Sequence, residues 1–446
     1  MGNFPLLGVH NVYAIPAGTA FGREADACHL IYSPLANLFF LARPEETLRM
    51  EKALEEGATT PELTRLLDQT AFPDRGTEVS TDTFCTLHLL LNEKCNFHCK
   101  YCYSAGGRST AELTMDLIRP VLDFFLSADR RAARDRTLMF MGGGEPVLSW
   151  PLLEEAAAYA EETARTQGIA LHLALTTNGS ILTDDILRFL KEHRFTVQVS
   201  FEVLPDVQEE QRGNYDRVAA NLVRLTEAGV DNYVRSTVTA ANVDRIPQMV
   251  EHCHRHFPLV RKLSCQQVVD ASYFTSVEVV DSFFDRYFRS FRQASELAAG
   301  YGMELHSSSS HLLNYSRRER FCYNLMCLTP YGTLTTCPDV SSPSEPDYAG
   351  AVIGRVDGNV VNFDPGAFAR VTGGTIHTLP MCRDCYARWN CGGGCPSSRR
   401  VYSGEIFAAI CAHYRRMLRH SLLEELAARY ARATGGDLYR DMAEKL

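Results

Sequence analysis

The residues with the clearest chemical potential are three cysteines in one short segment. Cys95, Cys99 and Cys102 lie within Cys95-Asn96-Phe97-His98-Cys99-Lys100-Tyr101-Cys102, which follows the apolar run from Thr86 to Leu91. Three thiolates are one fewer than a structural zinc site or a closed [4Fe-4S] cluster requires. This segment, the cluster loop, therefore predicts a site completed by a distant ligand or a cluster with one open iron.

A second group of cysteines occupies the C-terminal third of the chain. The chain has 15 cysteines among 446 residues, and their clustering indicates metal binding in a reducing compartment rather than a disulfide framework. The second group comprises Cys322, Cys327, Cys337, Cys382, Cys385, Cys391, Cys395 and Cys411. The four isolated cysteines, Cys28, Cys85, Cys253 and Cys265, are predicted to be buried thiols that pack as small hydrophobes.

Length and composition limit the function classes. A chain of 446 residues with 45% hydrophobic residues predicts two or three domains. The net charge of -9 argues against nucleic acid as the main partner. No apolar run is long enough to span a membrane, and residues Met1 to Asn11 lack the layout of a secretion signal. We therefore expect a cytoplasmic protein with neither nucleic acid nor membrane as partner.

The central part of the chain alternates apolar runs with amphipathic helices, which is typical of repeated βα units and a parallel sheet. Six strands are predicted, at Thr86–Leu91, Thr137–Met141, Ala170–Leu175, Thr196–Phe201, Tyr233–Val238 and Leu263–Val268. Six units indicate a partial (β/α)6 TIM-like barrel of the α/β class. Loops after the carboxyl ends of barrel strands carry the chemistry, and the cluster loop follows the first strand.

The cluster loop, with Tyr101 just before its last cysteine, resembles that of the radical S-adenosylmethionine (SAM) superfamily. Met141-Gly142-Gly143-Gly144-Glu145-Pro146 follows the second strand, where the family carries a Gly-Gly-Glu-Pro loop that binds the amino group of SAM. The resemblance implies that role for Gly143, Gly144 and Glu145, and implies cofactor contact for Tyr101. Without the cluster loop, the glycine run would indicate only a turn.

Three later strand ends extend the resemblance. It implies that Asn178 in Thr177-Asn178-Gly179, Ser200 and Arg212 contact the cofactor, although an Asn-Gly pair is also a common turn. Arg235 resembles the basic residue that pairs with the SAM carboxylate, a role that suits a guanidinium; an ion pair within the barrel is the alternative. Ser200-Phe201-Glu202-Val203 departs from the family's Ser-x-Asp-Gly at its last two positions, which puts the role of this acid in doubt.

The second cysteine group resembles the SPASM extension of radical SAM enzymes, which binds two auxiliary [4Fe-4S] clusters. The resemblance implies one cluster on Cys322, Cys327, Cys337 and Cys395 and another on Cys382, Cys385, Cys391 and Cys411. Some relatives hold the first auxiliary cluster with three thiolates, so Cys327 could instead be a spare thiol. Asp339 stands one position beyond the family's catalytic aspartate because Pro338 intervenes; it is either a proton acceptor or part of a Pro-Asp turn.

Three domains are expected from these patterns. Residues 1–82 form a small N-terminal α+β domain that is winged-helix-like and either docks a peptide or caps the main domain. Residues 83–310 form the radical SAM partial barrel. Residues 311–446 form a cysteine-rich iron–sulfur domain with a C-terminal helix.

The resemblance implies an oxidoreductase with SAM and three [4Fe-4S] clusters as cofactors. We expect a maturase that forms a 5'-deoxyadenosyl radical and abstracts hydrogen from a peptide or protein, leaving a cross-link, a thioether or an oxidised residue. A leader segment on the substrate and an electron donor such as flavodoxin or ferredoxin are the expected partners. The alternatives are an anaerobic sulfatase-maturating, formylglycine-forming enzyme and a zinc-binding scaffold without catalytic activity.

Overall fold

The computed structural model describes residues 5–7, 11–18, 28–58, 60–68, 79–307, 317–322 and 324–443. These residues belong to two compact units. The first takes its residues from Met1–Thr77, Ser309–Phe321 and Gly374–Leu446, and the second from Glu78–Ser308 and Cys322–Gly373.

The first unit begins with a four-stranded antiparallel sheet in the order β1-β2-β3-β4. Its strands are β1 Pro5–Leu7, β2 Val12–Pro16, β3 His29–Ser33 and β4 Leu38–Ala42, followed by helices α1 Pro44–Glu55 and α2 Pro61–Leu67. Helix α2 begins after Thr60, whose hydroxyl accepts the Leu63 N–H at 3.2 Å and caps the helix. Alternate residues of β2 and β3 are buried on opposite faces, so both faces of this sheet pack against other elements.

The second unit is built on an eleven-stranded sheet, eight of whose strands are parallel neighbours. The parallel strands are β5 Thr86–Leu90, β6 Asp135–Met141, β7 Ala170–Thr177, β8 Thr196–Ser200, β9 Asp231–Val238, β10 Lys262–Gln267, β11 Glu304–His306 and β12 Leu325–Leu328. Their order in the sheet is β11-β10-β9-β8-β7-β6-β5-β12. The six predicted strands and the α/β class are therefore confirmed, and β11 and β12 extend the parallel run at its two ends.

Three antiparallel strands continue the sheet beyond β12: β13 Thr333–Thr335, β14 Val352–Asp357 and β15 Val360–Phe363. The helices of this unit are α3 Met115–Leu126, α4 Trp150–Gln167, α5 Asp184–Glu192, α6 Pro205–Gln211, α7 Tyr215–Glu227, α8 Ile246–His256, α9 Val277–Gly300, α10 Tyr348–Ala351 and α11 Pro365–Thr372. Helix α3 is not identified in the sequence analysis, because it carries Pro120 in its interior and proline normally ends a helical pattern.

The last part of the chain returns to the first unit with helices α12 Arg388–Cys391, α13 Pro396–Val401, α14 Gly404–Thr434 and α15 Leu438–Ala443. The long helix α14 packs its residues Leu418, Leu422 and Leu423 against the face of the N-terminal sheet that carries Tyr13 and Tyr32. No helix in the described ranges is long and apolar enough to cross a membrane.

The isolated cysteines differ in exposure. Cys28, Cys253 and Cys265 are buried as predicted, whereas Cys85 is half-buried and accepts a hydrogen bond from the Asn324 amide at 3.0 Å. The prediction that Cys85 is buried is therefore wrong. This residue lies just before β5, where its N–H donates to Asn324 O at 3.1 Å, and its side chain stays partly exposed.

Candidate active site and metal centres

The cluster loop and the glycine loop meet at the carboxyl ends of β5 and β6. The Gly144 N–H donates to Asn92 O at 2.9 Å, and the Glu145 N–H donates to Lys94 O at 2.6 Å. A Cβ atom on Gly144 would lie 2.0 Å from Lys94 O, and one on Gly143 would lie 2.2 Å from Oε2 of Glu93. Glycine is therefore required here because the backbone that leads into the cluster loop approaches so closely.

Glu145 joins the glycine loop to the next strand end. Its buried carboxylate accepts hydrogen bonds from the Thr177 hydroxyl at 2.6 Å, the Asn178 N–H at 2.7 Å and the Val147 N–H at 3.3 Å. Burial raises the pKa of Glu145, and these three donors oppose that rise. The carboxylate thus fixes the strand ends and holds the glycine loop against the backbone that enters the cluster loop.

Asn178 lies beside the cluster loop. Its amide donates to Asn96 Oδ1 at 2.9 Å and approaches Cys95 Sγ at 3.9 Å, while its Oδ1 accepts the Ser180 N–H at 2.9 Å. The side chain is buried. The first three strand ends that the sequence singles out are thereby brought together.

The thiols of the cluster loop have the surroundings that an iron–sulfur cluster needs. Cys95, Cys99 and Cys102 are half-buried, and the Arg108 guanidinium donates to Cys102 Sγ at 3.2 Å and to Gly143 O at 2.8 Å. Burial raises the pKa of the Cys99 thiol; Arg212 opposes this rise and the other two cysteines add to it. Three thiols within electrostatic reach of one another, with cations beside them, fit a three-thiolate cluster.

Tyr101 is anchored by its hydroxyl. The hydroxyl donates to the carboxylate of Glu202 and accepts from Arg212 Nη1 at 2.8 Å. Ser200, at the end of β8, is half-exposed and stands opposite Arg235 in the β8–β9 register. The acid that departs from the family pattern, Glu202, is fully buried and contacts the cluster loop.

The inner face of the barrel carries polar side chains at alternate positions of β8 to β11. They line a cavity of about 420 Å³ that includes Gln198, Tyr233, Arg235, Lys262 and Ser264. The neighbouring positions on the same strands, such as Val234 and Cys265, are buried on the helix-covered face. A polar cavity wall of this kind suits a ligand that forms many hydrogen bonds.

Asp339 and Arg235 both lie near Tyr103, the residue after the last cysteine of the cluster loop. The Tyr103 side chain is 47% exposed, and Asp339 and Arg235 act on its hydroxyl in opposite electrostatic directions. Asp339 also raises the pKa of the Cys327 thiol, whose rise is mainly due to burial. Asp339 is therefore within electrostatic reach of both the cluster loop and the second cysteine group.

The cysteines assigned by resemblance to the first auxiliary cluster belong to both units. Cys327, on β12, is buried beside Leu90 and Met141 and is coupled to Cys322 through electrostatics. Cys337 follows β13, where the Thr335 hydroxyl donates to its carbonyl at 3.1 Å. Cys395 belongs to the first unit.

The four cysteines assigned to the second auxiliary cluster lie in the first unit. Burial raises the pKa of Cys391, and Cys411, Cys385 and Cys382 raise it further, so the four thiols face one another. The cation Arg399 donates to Gly393 O at 2.7 Å and to Gly394 O at 3.0 Å.

The glycines of this segment lie against the thiols. A Cβ on Gly393 would meet Cys382 Sγ at 4.0 Å, and one on Gly394 would meet Cys391 Sγ at 3.9 Å. A tight glycine loop beside one buried and three half-buried thiols fits a four-thiolate cluster. Within the residues that the structure describes, no three His, Cys, Asp or Glu side chains converge on the position of a single metal ion.

Sequence reasoning missed three residues that hold the site together. Asn92 donates to Glu145 O at 3.0 Å and to Ser149 Oγ at 2.6 Å, and Arg108 and Thr177 make the contacts given above. Asn92 lies between a predicted strand and the first cysteine, so a buried polar residue there was a usable signal. Arg108 carried no such signal, because it lies in an irregular segment after the loop.

Comparison with known proteins agrees with this geometry. The family model for the radical SAM superfamily matches residues 89–252. The serine-type anaerobic sulfatase-maturating enzyme of Klebsiella aerogenes is 21% identical over 322 residues, which are 68% of this chain and 77% of that protein. A GTP 3',8-cyclase of Xanthomonas campestris is 28% identical over 185 residues, 37% of this chain and 50% of that protein. The matches to the first curated relatives span between 26% and 50% of those relatives' own length.

Two solved structures share the fold. The structure of anSMEcpe with bound AdoMet superposes with a TM-score of 0.54 and 13% identity, covering 75% of this chain and 99% of that chain. Streptococcus suis SuiB bound to the precursor peptide SuiA gives a TM-score of 0.51 and 13% identity, covering 85% and 94%. The cluster loop and the glycine loop both lie within residues 89–252, the part of the chain that matches the radical SAM superfamily model.

Proposed function

We propose that this protein is a radical SAM maturase that acts on a peptide or protein substrate. The observation that carries the proposal is the joining of three strand ends: the cluster loop, the glycine loop and Asn178 are held together by hydrogen bonds through Asn92 and Glu145. This arrangement places three half-buried thiols beside a glycine main chain that is packed too closely against Asn92 and Lys94 to admit a side chain at Gly144.

The roles of the residues follow from their positions. Cys95, Cys99 and Cys102 would hold the first cluster, and Gly143 and Gly144 would bind the SAM amino group through main-chain atoms. When bound, SAM and a reduced cluster supply a 5'-deoxyadenosyl radical, which is chemistry that the cofactors rather than the protein perform. The protein orients the cofactor and excludes water from it.

The remaining polar residues complete the cofactor site. Arg235 would pair with the SAM carboxylate; its exposed side chain on the inner face, facing Tyr103, supports this role. Ser200, which stands opposite Arg235 in the strand register, would bind the ribose or the carboxylate.

The substrate would enter the polar cavity on the inner face of β8 to β11. Asp339 would accept the proton released when the substrate is oxidised, and its closeness to Tyr103 and Cys327 supports this role. Two auxiliary clusters, on the cysteine sets assigned above, would carry an electron away. A flavodoxin or ferredoxin would supply electrons, and a reducing compartment such as the cytoplasm would keep the clustered thiols available.

A sulfatase-maturating, formylglycine-forming activity is the second candidate. The likeness to the Klebsiella enzyme favours it, whereas the displacement of Asp339 by Pro338 weakens it. We favour a maturase of a leader-bearing peptide, because the N-terminal α+β region suits leader binding and because the solved structure of SuiB contains a precursor peptide.

Anaerobic co-expression with a short peptide encoded beside this protein tests the proposal. Mass spectrometry should find the peptide lighter by two mass units, or otherwise altered, only when the protein is present. The matched control replaces Cys95, Cys99 and Cys102 with Ala. A formylglycine product from a sulfatase peptide would instead select the second candidate, and zinc without acid-labile sulfide in the purified protein would refute both.

A further inference from the structure

Glu202 is a fully buried acid whose carboxylate is saturated with hydrogen bonds. Besides the Tyr101 hydroxyl, it accepts from Ser236 Oγ at 2.5 Å and from the Thr237 N–H at 3.1 Å. The Asn242 amide approaches the same oxygen at 3.4 Å. Four donors leave this carboxylate no capacity for a ribose, and they hold it as an anchor for Tyr101.

Arg212 is the second partner of the Tyr101 hydroxyl. Its Nη1 donates to that oxygen at 2.8 Å, and its guanidinium carbon lies 5.9 Å from the centroid of the Tyr101 ring. The preceding residue reinforces the attachment, because Gln211 O accepts the Lys100 N–H at 3.0 Å. Residues 211–212 are thus bound to the cluster loop at two adjacent positions, between Cys99 and Cys102.

The attachment leaves one strong donor of Arg212 unused. Its buried Nε has no hydrogen-bond partner in the part of the chain that the structure describes. The guanidinium is thus a cation that is held against the cluster loop between Cys99 and Cys102.

We propose that Arg212 is a positioning residue for the SAM cluster, held by Tyr101 and Glu202 so that one fixed cation stands against the cluster loop between Cys99 and Cys102 and raises the reduction potential of the cluster. The inference rests on the proposed function. One-electron reduction adds a negative charge to the cluster, and a fixed cation in a low-dielectric site favours the form with more negative charge.

The test is an EPR-monitored redox titration of the full-length protein, purified anaerobically with its clusters. The measured signal is the component of the reduced [4Fe-4S] spectrum that changes when SAM is added, since auxiliary clusters do not bind SAM. Arg212→Gln removes the cation and should lower the potential of that component by at least about 59 mV, a tenfold change for one electron. Arg245→Gln is the matched control, because this arginine pairs with the exposed Asp206. The reduction potential of the SAM-responsive cluster in this variant should equal that of the wild type.

Two further variants test the same inference. Arg212→Lys retains a charge and should recover most of the potential lost in Arg212→Gln. If Arg212→Gln does not fold, Tyr101→Phe decides, because it removes only the bridging hydroxyl and should also lower the potential.

An unchanged cluster potential in Arg212→Gln overturns the inference and leaves the proposed function intact. If Arg212→Gln does not fold, an unchanged potential in Tyr101→Phe has the same meaning. A wild-type protein whose reduced spectrum does not respond to SAM overturns the proposed function, and this inference with it.

Discussion

Replacement of Gly144 by alanine is the sharpest test of how the site is assembled. The new methyl group would lie 2.0 Å from Lys94 O and 2.2 Å from Asn92 Oδ1, so the backbone entering the cluster loop must move. Overpacking costs about 1–3 kcal/mol, and the two main-chain hydrogen bonds between these loops are worth about 0.5–1.5 kcal/mol each. The free energy of unfolding should therefore fall by about 2–6 kcal/mol.

Thermal unfolding followed by circular dichroism measures this loss. At about 2–4 °C per kcal/mol for a domain of this size, Gly144→Ala should lower Tm by at least about 4 °C. Gly142→Ala is the matched control, because its methyl group would lie 3.2 Å from the nearest atom, Asn92 O, and needs only a small adjustment. Equal Tm values for the two variants, with a wild-type response of the reduced cluster to SAM, would refute the argument that close approach dictates glycine here.

Three other outcomes follow from the same contacts. Replacing the three cysteines of the cluster loop with Ala should abolish SAM cleavage but leave about eight of about twelve irons per chain, measured by iron analysis. Thr177→Val removes a donor to the buried Glu145 carboxylate and should lower the free energy of unfolding by about 1–3 kcal/mol in urea titrations. Gly393→Ala should reduce iron content by about one cluster, since Gly393 has a φ of 84°, which an alanine adopts only with strain. Gly404→Ala, with nothing within 4 Å of the new methyl group, should keep full iron content.

The parallel strands were predictable because each is a short apolar run between turn residues, and their order along the chain fixes where the loops meet. Knowledge of the strands placed the cluster loop and the glycine loop at the same edge of the sheet. Helix α3 was not predictable from periodicity, since Pro120 interrupts the pattern and only burial of its apolar face, including Phe125, maintains the helix.

Long-range polar contacts could not be read from the sequence. Tyr101 and Glu202 are 101 positions apart, and Tyr101 and Arg212 are 111 positions apart. Nothing in local composition indicates that these three side chains converge, because hydrogen-bond geometry depends on the final packing of β8, β9 and the cluster loop. The sequence supplied each residue as a candidate but not the partner that determines its role.

At Glu202 and Val203 the sequence departs from the family pattern. The side chains differ there, but the backbone keeps a left-handed conformation at Val203. Val203 adopts a φ of 67°, the left-handed conformation that glycine reaches without steric cost and that costs a β-branched residue about 1–3 kcal/mol. Its side chain is completely buried, so packing offsets the strain and the turn is retained. With the turn in place, the longer side chain of glutamate reaches the Tyr101 hydroxyl and still meets Ser236 and Thr237. An acid whose role was in doubt thereby becomes the anchor of the cluster loop, and in our proposal the cofactor contacts are made by Arg235 and Ser200.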